Sequence, residues 1–553
     1  MKIVDGFPAT TQDDYQLNVT NIIRHAARNF GNQEIASRQS NGTMFRYTYK
    51  DSYLRMMRLA NALTRLGVKP GDRVGVLSWN THQNFEIYYG LPGTGAVMLL
   101  LNLRLPADDL EHIINHGGAK YLIIDESLID IAEEVAPRCE SVEKFIIITD
   151  KPLDKINTNL TPLYSYEEIL ADGEPHYNWP IINERSSYAA CYTTGTTGRP
   201  KGVYYSHRSV YLQALMYAHN ALISSRDSVF QFVPMFHVLG WGTPQAVTAS
   251  GAKLVLPGQF SLEELDELIH IHVKEKITIS NGATAILIPM IEKIKKMKHK
   301  PQLHCCRILT GASEPPTAVM KEFHELTGAD VIHTYGSTEA MAVATINLIK
   351  PWMEKELNDE KIWELKKKQG YVVTGLDAKI IDLNENILPN DGETAGELII
   401  RGPWITESYF NSPGSENLFT KEGYWKSGDV GTLDREGYFK VTDRIKDVIK
   451  SGGEWISSID MENEIIHHEA VIEAAVIGVE HPKWEERPLA VVVLRSEFEN
   501  KIKKEDIIEV LSKKFARWQM PDDVIFVDSI PKTSVGKINK KAIRDEYKDI
   551  YKK

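Results

Sequence analysis

The stretch Tyr192-Thr193-Thr194-Gly195-Thr196-Thr197-Gly198-Arg199-Pro200-Lys201-Gly202 constrains this chain more than any other. Seven of its eleven residues are Gly or Thr, and one Lys stands near its end. Glycine admits positive φ and lets a ligand come close to the backbone. Successive free N–H groups in such a turn form an anion nest. Threonine hydroxyls add donors and Lys201 adds a point charge, so the stretch suits a polyphosphate. It is not a Walker A loop, because no Gly-Lys-Ser/Thr stands at the required spacing. A flexible polar linker is the competing reading. A linker has no use for the β-prone Tyr188-Ala189-Ala190-Cys191-Tyr192 before the loop, or for Val203-Tyr204-Tyr205 after it. The pattern predicts a hairpin tip held between two strands.

At 553 residues the chain is too long for one core and predicts roughly three to four folding units. A hydrophobic share of 42% with 25% charged residues is that of a soluble globular protein. The net charge of −11 argues against a general nucleic-acid binder. Residues 501–553 hold 14 Lys/Arg against 9 Asp/Glu, which makes that tail +5 and leaves −16 for the rest of the −11 total. A basic tail facing an acidic body could meet an anion such as ATP or CoA, and a solvated lysine face explains the same charge. Cys139, Cys191, Cys305 and Cys306 have no metal-ligand spacing, and an adjacent pair rarely bridges. Reduced thiols in a cytosol are expected. Met1 to Tyr15 lacks a signal-peptide pattern, and no apolar run approaches a membrane span.

Along the chain, amphipathic helices are expected at Asn18–Phe30 and Tyr53–Leu66, followed by a buried strand at Arg73–Leu77. Phe85–Gly90 reads as helix, Ala96–Leu101 as strand and Asp108–His116 as helix; Tyr121–Ile124 and Phe145–Ile148 are strands again. Beyond the loop, a helix is expected from His207 to Asn220 and a strand at Val229–Val233. Further strands are expected at Leu254–Leu256, Arg307–Ser313 and Val331–Glu339, the last two ending in polar turns. Alternation of this kind predicts an α/β fold with mostly parallel sheets, which bind ligands at the carboxyl ends of their strands. Residues 350–369 read as amphipathic helix and loop, and Leu398–Ile400 with Gly437–Val441 suggest a small β-rich part. A compact α+β unit follows, with its boundary placed at residue 444, giving domains 1–443 and 444–553.

Six motifs then stand in one order. These are the loop, Pro234-Met235-Phe236-His237, Thr334-Tyr335-Gly336-Ser337-Thr338-Glu339, Trp425-Lys426-Ser427-Gly428-Asp429, Asp443-Arg444-Ile445-Lys446-Asp447, and Pro531-Lys532-Thr533-Ser534-Val535-Gly536-Lys537-Ile538. The chain resembles the adenylate-forming enzymes along nearly its whole length: acyl-CoA synthetases, peptide-synthetase adenylation domains and firefly-type luciferases. Met235 to Trp241, His481 to Pro488 and Arg517 to Pro521 resemble most closely the medium- to long-chain fatty acyl-CoA synthetases of bacteria and archaea.

The resemblance implies a large N-terminal domain and a small mobile C-terminal one that pivots at Lys446 between adenylation and thioester formation. It implies ATP, Mg²⁺ and coenzyme A. The nucleotide would be held by Thr193, Thr194, Gly195, Thr196, Thr197, Gly198, Lys201, His237, Gly311, Ala312, Ser313, Tyr335, Gly336, Thr338, Asp429, Arg444, Lys450 and Trp455. Tyr335 would stack on adenine, Thr338 would touch the α-phosphate, and Asp429 would accept from the ribose hydroxyls with Arg444 assisting. Thr193 and Glu339 would hold the metal, directly or through water. Lys537 would neutralise charge at the attacking carboxylate. Gly452-Gly453 would leave room for the pantetheine arm. His237, Val238, Trp241 and Gly311 would line the acyl pocket, with Trp241 gating a tunnel. Flanked by Gly240 and Gly242, its ring has room to swing. A fatty acid–CoA ligase is the leading expectation, cytoplasmic, homodimeric, and without nucleic acid or stable membrane insertion. A ligase for a short-chain, sulfur-containing or aryl acid remains open, as does an adenylating enzyme with another acceptor. A non-catalytic relative would be expected to have lost Lys537, Glu339 or Lys201.

Overall fold

The computed structural model describes residues 4–193, 199–303, 306–311, 313–451, 454–498, 501–532 and 538–551. Its chain divides into two units. One takes residues up to 193, 199–377 and 401–425; the other takes 378–400 and 426 onward.

The first unit carries two sheets. In one, strands run in the order Leu163–Ser165, Lys144–Ile148, Ala119–Asp125, Arg73–Leu77, Val97–Leu100, Ser187–Tyr192 and Gly202–Ser206. All neighbours are parallel except the last pair, whose antiparallel register sets Tyr192 against Gly202. That pair is the expected hairpin around the glycine- and threonine-rich loop. Val, Ile and Leu fill both faces of the inner strands, as parallel pairing between helices requires.

In the other sheet, Asp330–Tyr335, Arg307–Gly311, Ile279–Ala283, Ser228–Phe230, Lys253–Leu256 and Glu34–Arg38 lie parallel in that order. Met44–Thr48 closes one side antiparallel to Glu34–Arg38, and Thr345–Ile346 pairs antiparallel with Asp330–Tyr335 on the other. Strands Arg307–Gly311 and Asp330–Tyr335 thus end side by side, each opening into an expected polar turn.

Three elements differ from the sequence reading for identifiable reasons. The second helix starts at Tyr49, four residues earlier, because Thr48 and Asp51 form a reciprocal capping box. The strand expected over Val229–Val233 ends at Phe230: the Phe232 and Val233 N–H groups turn to the Asn281 side chain at 2.8 and 2.9 Å. The Lys/Glu-rich stretch forms two short helices, Pro351–Glu356 and Asp359–Lys367, the second capped by Asn358.

The second unit holds the antiparallel pair formed by residues 426–433 and Tyr438–Arg444. It also holds a sheet in which Glu485–Leu494 pairs antiparallel with Val471–His481 and parallel with Asp523–Phe526. Helices Ser458–Ile466 and Lys504–Ser512 share an apolar core with this sheet. Among the described residues, Cys139, Cys191 and Cys306 are buried free thiols, and no helix is long and apolar enough to cross a membrane.

Candidate active site

The loop's own residues Thr194, Gly195, Thr196, Thr197 and Gly198 lie outside the described residues, but both limbs at its base are fixed. Lys201 N–H donates to Thr193 Oγ1 at 3.1 Å, and Thr193 N–H donates back to Lys201 O at 3.0 Å. Lys201 Nζ lies 5.0 Å from the centre of the Tyr409 ring, a cation–π contact. The Tyr409 hydroxyl donates to Glu339 Oε1 at 2.6 Å. Burial, reinforced by the Glu339 charge, holds the Tyr409 phenol well above its ordinary pKa, so it remains a donor. A continuous set of contacts therefore runs from Thr193 through Lys201 and Tyr409 to Glu339.

The turn that carries Glu339 is tightly closed. A Cβ on Gly336 would stand 1.5 Å from Ala342 O, so only glycine fits there. Ala342 N–H donates to Ser337 O at 3.0 Å, and Ala344 N–H donates to Tyr335 O at 2.8 Å. Tyr205 Oη donates to Thr338 O at 2.6 Å, and Thr406 N–H donates to Glu339 O at 2.8 Å. Tyr335, Thr338 and Glu339 are left half-buried at the strand end. A Mg²⁺ ion is bound typically by one or two carboxylates with substrate phosphates and water. Glu339 fits that pattern: one of its oxygens is positioned by Tyr409, and a carboxylate keeps acceptor capacity after one such bond. Thr193 Oγ1 supplies a further oxygen at the base of the loop.

The residues expected at the acyl pocket sit on an unusual backbone. Val238, Leu239, Gly240, Trp241 and Gly242 all have positive φ, forming one left-handed turn. For residues other than glycine this conformation costs on the order of 1–2 kcal/mol each. A frame of buried amides holds it. Gln231 Nε2 donates to Val233 O at 2.7 Å and Gly240 O at 3.2 Å. Asn281 Nδ2 donates to Gln231 Oε1 at 3.2 Å and Thr243 Oγ1 at 2.8 Å. Asn80 accepts from Met235 N–H at 2.7 Å and donates to Gln231 O and Val233 O, both at 2.9 Å. His237 is half-buried, its carbonyl accepting from Gly240 N–H at 2.9 Å. The turn delivers the Trp241 indole to the end of strand Arg307–Gly311. A Cβ on Gly311 would stand 3.2 Å from Trp241 Cη2 and 2.8 Å from Thr334 O. Ser313 beyond it is exposed, its carbonyl taking Thr284 Oγ1 at 2.8 Å.

In the second unit Asp429 and Arg444 are cross-strand partners, with Arg444 Nε 3.2 Å from Asp429 Oδ1. Asp429 is buried and Arg444 exposed. Lys446 lies in a turn whose Asp447 and Val448 N–H groups both donate to Arg444 O, at 2.8 and 2.7 Å. Lys450 pairs with Trp455 across a short hairpin. Ala312, Gly452, Gly453 and Lys537, and the side chain of Trp455, lie outside the described residues.

Sequence reasoning did not find Tyr205 and Tyr409. Tyr409 lies far along the chain from both residues it serves, and the pairing of Phe410 with Gly202 is among the contacts that bring it to the loop.

Residues 23–410 match the family of AMP-binding enzymes, and residues 460–537 match the C-terminal domain of AMP-binding enzymes. The chain is 38% identical to a 3-methylmercaptopropionyl-CoA ligase of Ruegeria lacuscaerulensis, over 96% of this chain and 98% of the relative. It is 37% identical to a long-chain-fatty-acid–CoA ligase of Thermus thermophilus, over 99% of this chain and 98% of the relative. Its fold is that of ATP-bound MatB from Rhodopseudomonas palustris, with a TM-score of 0.81 at 22% identity, covering 97% of this chain and 100% of that one.

Proposed function

We propose that this chain, which belongs to the family of AMP-binding enzymes and is an acyl-CoA synthetase using ATP, Mg²⁺ and CoA, activates a medium- to long-chain fatty acid. The observation that carries this reading is the Trp241 indole, set by a strained, amide-framed turn against Gly311. A large apolar side chain held beside a strand-end glycine fits the mouth of a methylene-binding tunnel. The relatedness to a long-chain-fatty-acid–CoA ligase supports the same reading. The 3-methylmercaptopropionyl-CoA ligase favours a second one, a short sulfur-containing acid.

In the first step an oxygen of the acid's carboxylate attacks the α-phosphorus of ATP. The bond from that phosphorus to the bridging oxygen breaks, and pyrophosphate leaves. In the second, the CoA sulfur, its proton passing to water, adds to the acyl carbonyl carbon; the bond from that carbon to the phosphate oxygen breaks, and AMP leaves. The protein's work is positioning and charge neutralisation. Lys201 and the loop cradle the phosphates, Thr193 and Glu339 would hold the metal, and Tyr409 fixes Glu339. Mg²⁺, when bound, offsets phosphate charge. Tyr335 stacks on adenine, Thr338 meets the α-phosphate, and Gly311, Ala312 and Ser313 line the nucleotide and acyl pocket. Asp429 with Arg444 takes the ribose. Lys537 neutralises charge at the attacking carboxylate. Residues 1–443 and 444–553 act as the two mobile parts, pivoting at Lys446, with Lys450 and Trp455 reaching the nucleotide. A cytoplasmic homodimer is the form we expect.

The test is kcat/KM for straight-chain acids from acetate to palmitate, with 3-methylmercaptopropionate alongside. Burial of about 0.8 kcal/mol per CH₂ raises kcat/KM roughly fourfold per carbon until the tunnel ends. A maximum at acetate, propionate, an aryl acid or 3-methylmercaptopropionate would reject the fatty-acid reading and leave the ligase standing.

A further inference from the structure

Beside the hinge segment of the second unit lies a buried ion cluster that the reaction, as described so far, does not use. Lys540 Nζ lies 2.7 Å from Glu462 Oε1 and 2.5 Å from Ser458 Oγ. The side chains of Lys540 and Glu462 are only 11% and 12% exposed. Glu462 Oε1 also accepts from Val476 N–H at 2.7 Å. Ser458 passes the contact on: its N–H and Oγ both donate to Asp443 Oδ2 at 2.6 Å, and Asp443 is 1% exposed. Burial alone would push the Lys540 ammonium down, but Glu462 and Asp443 beside it hold it above its ordinary value. One turn further on, Arg544 Nη2 lies 2.8 Å from Asp447 Oδ1.

The spacing gives this cluster its meaning. Lys540 and Arg544 are four residues apart on the helix Lys540–Tyr547, so they share one face. Asp443 and Asp447 are also four apart, and they bracket Lys446. The helix grips the hinge segment at both ends, and two attachments fix orientation where one would fix only proximity. A helix docked merely for stability needs only its apolar side, such as Ile543, which is 1% exposed. Burying charges costs free energy, and breaking such a pair leaves an uncompensated one.

The same helix begins where the terminal lysine motif ends. Lys532 and Ile538 form a β-bridge, and Asn539 N–H donates to Pro531 O at 2.8 Å, so the base of the segment between them is closed. Lys537 precedes Lys540 by three residues.

We infer that Lys540 and Arg544 are positioning residues that clamp the base of the Lys537 segment to the hinge segment Asp443–Val448 on both sides of Lys446, holding that segment in the pose used for adenylation until a turn at Lys446 releases the Asp443 end. This rests on the roles proposed above for Lys537 and Lys446.

The experiment separates the half-reactions in the full-length enzyme. Acid-dependent ATP–pyrophosphate exchange reads adenylation, and CoA thioester formation from a supplied acyl adenylate reads the second step. Lys540→Met and Arg544→Ala should each lower exchange on the order of 100-fold, the cost of misplacing a catalytic group, while thioester formation changes less than about threefold. Lys540→Arg, which keeps the charge, should recover most of the exchange. Arg544 is 26% exposed, so its variant should fold even if Lys540→Met does not. Parallel loss of both half-reactions, in step with a lowered unfolding midpoint, would reduce the clamp to a fold-stabilising contact and overturn the inference. Unchanged exchange in Arg544→Ala would overturn it too. Lys537→Ala, run alongside, keeps the two readings apart: if it spares exchange, the role of Lys537 fails. If it abolishes exchange and the clamp variants do not, only the clamp fails.

Discussion

Tyr409→Phe isolates one bond at the proposed metal site. The substitution removes the hydroxyl that donates to Glu339 Oε1 at 2.6 Å and keeps the ring that lies 5.0 Å from Lys201 Nζ. A hydrogen bond to a charged group contributes about 1.5–3 kcal/mol, so the loss corresponds to roughly tenfold to a hundredfold. Glu339 is half-buried, and water can replace part of the lost bond, which favours the lower end. Glu339 C=O remains held by Thr406 N–H, and the bonds that close the turn around it are untouched, so the backbone of the site should not move. The loss should therefore fall on metal and nucleotide. Pyrophosphate release is measured against Mg²⁺ concentration at fixed ATP and acid. The midpoint should move to higher Mg²⁺ by about tenfold or more, with the KM for the acid little changed. A Tyr409→Phe enzyme with the wild-type Mg²⁺ dependence, or one whose only defect is in the KM for the acid, would refute the assignment of Glu339 and Tyr409 to the metal site.

Two further outcomes are expected. Lys446→Pro fixes φ at the proposed pivot, so thioester formation should fall more than adenylation; normal full turnover would show that the pivot lies elsewhere. Glu275, bound by Arg46 and then Lys253, has its carboxyl pulled down from an ordinary 4.5 to about 2. Because the folded value is the lower one, this stabilisation is complete above about pH 4.5 and is lost as the pH falls toward 2. Urea midpoints taken between about pH 6 and pH 3 should fall less steeply for Glu275→Gln than for the wild type, and identical slopes would remove Glu275 from the acid limb.

Much of this architecture was readable from residue patterns, and the failures have physical causes. The parallel strands announced themselves because burial on both faces leaves unbroken apolar runs such as Phe145-Ile146-Ile147-Ile148. The loop hairpin was legible because glycine and threonine are concentrated between β-prone flanks. The helix start at Tyr49 was missed because Thr48 and Asp51 act locally, ahead of the apolar periodicity. Phe232 and Val233 looked like strand because their side chains are apolar; what removes them is an asparagine 49 and 48 residues downstream, which no local pattern reports. Tyr409 was invisible for the same reason. Its partners Lys201 and Glu339 are near it only after the segment ending at Phe410 pairs with Gly202.

The glycines around Trp241 illustrate how a correct residue can suggest the wrong physics. Read as sequence, Gly240 and Gly242 look like empty space in which the indole can move. In the structure that space is filled. A Cβ on Gly240 would stand 2.8 Å from Gln231 Nε2, and one on Gly242 would stand 2.1 Å from Gln213 Oε1. The two glycines admit buried amides against the backbone and accept positive φ. The same amides connect the turn to the rest of the site. Gln213 Nε2 reaches Trp241 O at 3.4 Å and Met341 O at 3.5 Å, and Met341 belongs to the positive-φ end of the turn that carries Glu339. Trp241 itself has φ 63° and is 8% exposed, so its backbone stays in the left-handed region only while the frame holds it. Any movement of the indole must come from side-chain rotation on a fixed turn, or from the frame giving way as a unit. Freedom lent by neighbouring glycines is not available, because their missing side chains are where the frame stands.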